Sequence, residues 1–171
     1  KAEAAFNDSP LPSRWTYWNR GLVYYFRHEF ARAVEDQKMA ISLAPDAYGS
    51  WGALADAYRF MPGEEDNARG AYEEAIRLAK QHLAIKPTDW ATVARVGLYY
   101  AYTGRNEQSA AEFEKLPDRT AETIVHYFVA RARLQMGDVD GALDGLQELI
   151  ESGWIPKLLV ADPDFASLHG L

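Results

Sequence analysis

A small residue followed three places later by tyrosine recurs along this chain, as Gly21/Tyr24, Ala55/Tyr58 and Gly97/Tyr100, with a degenerate fourth copy at Ala130/Arg133. Residues three apart share one face of a helix, so each copy sets a gap beside a ring. A second set of small residues, Ala33, Ala75, Ser109 and Ala142, follows the first. The first set is spaced 34, 42 and 33 residues and the second 42, 34 and 33. One insertion accounts for both patterns: eight extra residues after Tyr58 and before Ala75. Without it the period is near 34, the length of a helix-turn-helix repeat. Units of this size cannot bury their apolar faces alone and must stack on one another.

The local signals divide the chain accordingly. Residues 1–6 read as the end of a preceding helix and 7–12 as a breaker, so 1–13 form an N-terminal remnant and linker. Ser13 caps a helix over about 14–27. A second helix, about 30–44, buries Phe30, Ala33, Val34, Ala40 and Ile41 and stops at Pro45. Asp46 is placed to cap the next helix, which carries Trp51, Leu54, Ala55 and Tyr58. Residues 64–85 are helical without a break, acidic first and basic last as the helix dipole favours, so the insertion lengthens this helix at its N-terminal end. Pro87 ends it. A third pair, with Val93, Val96, Gly97, Tyr100, Ala110, Phe113 and Leu116, breaks at Pro117. A fourth, with Val129, Ala142, Leu146 and Leu149, closes at Gly153. The units are therefore 14–47, 48–89, 90–120 and 121–151. Residues 152–171 form a cap of one short amphipathic helix and a final turn, which a terminal repeat requires.

Composition sets the limits of function. A net charge of -7 without any basic run argues against nucleic acid, whose phosphates are met by Lys and Arg. With no cysteine in the chain, disulfides, thiolate metal sites and Cys nucleophiles are excluded. No stretch reaches the ~18 apolar residues of a membrane span, so direct membrane insertion is not expected. The first residue, Lys1, leads us to expect a domain cut from a longer protein. Aromatic residues reach 13%, more than a minimal helical array needs, so some rings should line a surface.

The bulky residue, Leu-Ala and Tyr of Trp51, Leu54, Ala55 and Tyr58, with Ala33, Ala40 and Pro45, resembles the tetratricopeptide repeat (TPR) family over residues 14–151. The resemblance implies an all-α, right-handed α-solenoid of four helix pairs. Departures are Arg20 for Leu, Gln37 for an aromatic, His82 for Ala and Arg133 for Tyr. The insertion and the closing residues further resemble TPR regions at the C-terminal ends of bacterial signalling proteins, such as Ser/Thr kinases, adenylate cyclases and membrane-anchored winged-helix regulators. In several of these the TPR part follows a transmembrane helix, which implies an extracytoplasmic location; the alternative is cytoplasmic.

In a TPR array the first helices line a concave side. The matching positions here are Trp15, Trp18, Leu22, Tyr25, Arg59, Phe60, Leu98, Tyr102, Tyr127 and Arg131, rings and Arg over a floor of Gly and Ala, a mix found at interface hot spots. The expected function is a protein or peptide binding module without catalytic activity. The alternative is a structural homo-oligomerisation domain, and a terminal segment of the chain is a competing occupant of the groove. The clamp for chaperone C-termini is not expected: its Lys and Asn places hold Trp18, Leu22, Ala53, Ala91 and Arg95.

No chemistry competes. His28, His82, His126 and His169 lack a second ligand at metal spacing, so neither metal nor cofactor is expected. A calcium loop starting at Asp138 fails, because Ala142 and Leu143 stand where a ligand and a glycine are needed and Leu149 where Glu is. Asp138 reads instead as a helix cap. The carboxylates Glu64, Glu65 and Asp66 are explained by the start of a helix.

Overall fold

In a computed structural model, which describes residues 12–117, 120, 122–153 and 156–168, every regular element among the described residues is helical. Helices α1 (Arg14–Phe26), α2 (Phe30–Leu43), α3 (Tyr48–Arg59), α4 (Glu65–Ile85), α5 (Trp90–Tyr102), α6 (Asn106–Phe113), α7 (Thr123–Gln135), α8 (Val139–Glu151) and α9 (Pro156–Ala161) precede a 3-10 helix, Pro163–Leu168. The chain divides into two compact units, residues 1–78 and 79–171, with the division inside α4. In the first unit α1 packs on α2, α2 on α3 and α1 on α3. In the second, α5 packs on α6 and α7, α7 on α8, and the 3-10 helix on α9 and α7. The expected helix end and breaker within residues 1–11 lie outside the described residues.

The repeat signal corresponds to close packing. Tyr24, Tyr58 and Tyr100 are 5%, 8% and 5% exposed, and Ala55 and Ala130 are fully buried. A Cβ built on Gly97 would stand 2.4 Å from the Phe113 ring, and one on Gly21 2.4 Å from the Gln37 amide. The glycine therefore lets the two helices of a pair approach closely.

The insertion can be placed residue by residue. Ala33, Ser109 and Ala142 are each the fourth residue of their helix, whereas Ala75 is the eleventh of α4. All four are buried. Seven residues, about 10 Å of helix, are thus added before the repeat position. The turn before α4 is two residues longer than the turn before α2, and α3 is one residue shorter than α1, which gives the eight. The added turns are anchored, since Ala68 and Ala71 are buried.

Each departure from the repeat pattern has acquired a polar partner. Arg20 Nε and Nη2 donate to the two Asp36 oxygens, both at 2.7 Å. This hydrogen-bonded carboxylate raises the Arg20 pKa further above its usual value, against the opposing effect of burial. Gln37, fully buried, donates from Nε2 to the Trp18 carbonyl at 3.1 Å. His82 Nε2 lies 2.8 Å from Asp89 Oδ2, and Arg133 Nη1 donates to the Gly141 carbonyl at 3.0 Å. Burial alone would raise the Asp89 pKa, but the bonds from His82 and the Thr92 amide prevail and lower it.

Two local expectations are corrected. Asp46 does not cap α3: Ala47 occupies the cap, without a side-chain bond, and Asp46 sits in the preceding turn. The matching place before α5 is Asp89, which accepts from Thr92 N at 3.0 Å, so the acid in the second repeat falls one residue early. In α6, Ala110 is exposed, and the inward face carries Ser109 and Glu112, as the helical period from Ser109 dictates. Ser13 and Asp138 cap α1 and α8 as expected, Ser13 as part of a capping box with Thr16.

Candidate partner-binding surface

On α1 the spacing three, four, three places Trp15, Trp18, Leu22 and Tyr25 along one face, about 15 Å from first to last. Trp15 is 53% exposed, its ring edge-on to Trp18 at 5.8 Å and covered by the Arg14 guanidinium at 3.7 Å. Trp18 and Leu22 are half-buried. Tyr25 is buried at 4% exposure, beneath the half-buried Phe60, with ring centroids 6.0 Å apart.

Phe60 is held on two sides. Phe30 stacks on it at 5.0 Å with planes 15° apart, and the Arg59 guanidinium lies 4.8 Å from its centroid. His28 stacks on Phe30 in turn at 5.7 Å. A tier of His28, Phe30, Phe60 and Arg59 therefore closes the C-terminal end of the α1 stripe. Arg59 Nε also donates to the Tyr72 hydroxyl at 3.2 Å, which donates to Asp56 Oδ1 at 2.6 Å. Tyr72 is 1% exposed and stands three residues before Ala75, the place that Phe30 holds before Ala33, so the first turn of the repeat helix after the insertion fixes the arginine that flanks the rings. Sequence reasoning missed Tyr72, His28 and the stacking role of Phe30. The signal that could have found His28 was its place in the turn where the third and fourth repeats have Gly104 and Gly137: its φ is 60°, beside 75° and 86° for those glycines.

In the second unit the expected groove residues are covered by the chain itself. Leu98 is fully buried, and Tyr127 and Arg131 are 8% and 4% exposed. The Tyr127 hydroxyl donates to Asp162 Oδ2 at 2.6 Å, and Arg131 Nε to Asp164 Oδ2 at 2.8 Å, with Arg131 Nη2 also on Asp164. The Asp164 amide donates to Asp162 Oδ1 at 3.1 Å, and Phe165, 3% exposed, stands edge-on to Tyr127 at 6.2 Å. Arg131 lies 5.5 Å from the Tyr102 ring and 5.2 Å from that of Tyr127. Burial pushes the Tyr127 hydroxyl well above its ordinary pKa, and it raises the Asp162 carboxyl too, although Arg131 opposes that rise. The 3-10 helix thus occupies the place expected for a partner. Of the expected residues, Tyr25, Leu98, Tyr127 and Arg131 are internal, Trp18, Leu22, Arg59, Phe60 and Tyr102 are half-buried, and Trp15 is exposed.

Among the described residues no group of His, Asp and Glu could hold a metal ion, and no helix is long and apolar enough to cross a membrane. His126 Nδ1 lies 2.8 Å from Glu148 Oε2, a contact between α7 and α8. His169 lies outside the described residues.

No family model matches this chain, and no curated protein matches it. Among solved structures it is similar to a thermophilic TPR protein of Thermus thermophilus, at 21% identity and a TM-score of 0.61, over 99% of this chain and 88% of that one. MamA, at 18% identity and a TM-score of 0.46, is matched over 88% of this chain and 84% of its own. A tetratricopeptide repeat protein from Parabacteroides merdae ATCC 43184, at 16% identity and 0.43, is matched over 94% and 75%. The first of these establishes the fold, a TPR array of helix pairs with a C-terminal capping helix.

Proposed function

We propose that this TPR-fold chain is a non-catalytic module that binds a protein or peptide, and that it serves a larger bacterial signalling protein of the kind its sequence resembles. The observation that carries the reading is the α1 stripe of Trp15, Trp18 and Leu22, ending at Phe60 with its anchored Arg59. Large rings offer contact area with few rotamers to freeze, and a guanidinium held by Tyr72 loses little entropy on meeting a carboxylate or carbonyl. A stripe of about 15 Å suits about three turns of helix or about five extended residues.

Panning a peptide library on the intact chain, with a Trp15→Ala/Trp18→Ala variant as counter-screen, tests the proposal. The peptides recovered should lose about 2 kcal/mol or more on the variant while its helicity is unchanged. Peptides that bind both proteins equally well would refute the assignment. A concentration-dependent dimer that the same variant abolishes would favour the oligomerisation reading instead.

A further inference from the structure

The second unit carries another apolar surface, on the side of α8 away from α7. Leu143 and Ile150 are 40% and 51% exposed, and Val160 on α9 is 65% exposed. Together with Leu146, Leu159 and Phe165 they line an open cleft of about 180 Å³. Small-molecule sites occupy roughly 300–1,000 Å³ and carry a few convergent polar groups, so this cleft has room only for one or two aliphatic side chains. Its length favours a helix. Leu143 and Ile150 are two turns apart on α8, the spacing at which a docked amphipathic helix presents its own anchors.

The charge beside the cleft specifies the occupant further. Residues 138–168 contain seven carboxylates and one lysine, which accounts for most of the net charge of -7. Asp162 and Asp164 are consumed inside the unit by Tyr127 and Arg131. Asp140, Asp144 and Glu151 are exposed on α8. At 100° per residue, Leu146, Ile150 and Leu143 span about 60° of the α8 surface, and the three acids follow within about the next 100° on one side only. The tail borders the other side.

We infer that the cleft between α8 and the C-terminal cap docks an amphipathic helix of a partner protein, one whose apolar stripe is flanked along one edge by Lys or Arg. A second copy of this chain would bring the same acidic edge and be repelled. The site is in a different unit from the proposed α1 surface, so each can fail independently.

Two labelled 18-residue probe peptides with identical leucine stripes, one flanked by lysine and one by glutamate, test the inference by fluorescence anisotropy on the whole chain at low salt. The lysine peptide should bind at least about tenfold more tightly than the glutamate peptide, less so as salt is raised. Leu143→Ser/Ile150→Ser should abolish binding, and Asp140→Lys/Asp144→Lys should turn the preference toward the glutamate peptide. Trp15→Ala/Trp18→Ala should leave both affinities unchanged. If the α8 double variant unfolds, Val160→Ser on the opposite wall, with circular dichroism as a control, carries the same expectation. Equal binding of the two peptides overturns the inference, as does binding that survives loss of the apolar side chains. A dimer in sedimentation velocity that Ile150→Ser dissociates also overturns it, because the occupant would then be a second copy.

Discussion

The first helices α1 and α7 start from similar positions in the repeat and end in opposite conditions. On α1 the stripe from Trp15 to Leu22 stays at the surface, while Arg20, on the opposite side of the helix, reaches Asp36 of the same repeat with 22% of its side chain exposed. On α7, Tyr127 and Arg131 are sealed under the 3-10 helix, and Arg131 and Asp164 are only 4% and 6% exposed. Residue type did not decide this, since the α1 stripe also has rings and a guanidinium, that of Arg14 over Trp15. The difference lies in whether the chain delivers a complementary segment. After α8 it brings Asp162, Asp164 and Phe165 against that face, and two acceptors with one ring satisfy Arg131 and Tyr127.

Burial should make the two ion pairs unequal, and this is the largest effect to seek. Arg131→Ala leaves Asp162 and Asp164 in a site without their cation and should cost about 3–5 kcal/mol, with loss of the cap. Arg20→Ala leaves Asp36, itself only 6% exposed, but removes a side chain that is 22% exposed and so opens a path for water to the carboxylate; it should cost about 1–3 kcal/mol. Urea unfolding of the two variants measures both. Equal costs would show that the cap contributes no special burial and that α7 is as open as α1.

A mid-sized contrast concerns the two glycines that let helices approach. At Gly97 a methyl would meet the half-buried Phe113 ring across a whole edge, so Gly97→Ala should cost about 1–3 kcal/mol. At Gly21 the obstacle is the amide of Gln37, which is fully buried, so displacing it breaks its bond to the Trp18 carbonyl inside the core. The gain in helix propensity of about 1 kcal/mol offsets only part of that loss, so Gly21→Ala should cost about 1–2 kcal/mol. A neutral Gly21→Ala variant would contradict the packing described for the first unit.

The repeat pattern was legible because it is local and periodic. Gly21, Ala55 and Gly97 mark helix crossings, and the mismatch of spacings located the insertion that became the N-terminal turns of α4. The surface was legible only in part. Trp15, Trp18 and Phe60 follow from helical phase, but the capture of Arg131 joins residues 33 apart through the fold of the tail, and no periodicity encodes that pairing. The cap of α3 failed for a smaller reason. Asp46 and Asp89 differ by one residue in their distance from the preceding proline, and that shift decides whether the carboxylate reaches a helix amide.

The smallest expected effect compares the turns themselves. Gly104 and Gly137 have the left-handed backbone that closes the turn between paired helices, whereas the first repeat uses His28 at φ 60°. A side chain there costs about 1 kcal/mol relative to glycine, and stacking on Phe30 returns about half of it. His28→Gly should therefore stabilise the chain by about 0.5 kcal/mol, while Gly104→Ala in the second unit should destabilise it by about 1 kcal/mol. If the ring is retained for the partner surface, the more stable His28→Gly protein should also bind the peptides selected on the α1 stripe more weakly, because Phe30 and Phe60 lose the outer member of their tier. Thermal melts with peptide titrations on the same samples separate the cases. A lower melting temperature for His28→Gly would mean that the stack outweighs the strain, and that this histidine is a packing residue of the first unit rather than part of its open face.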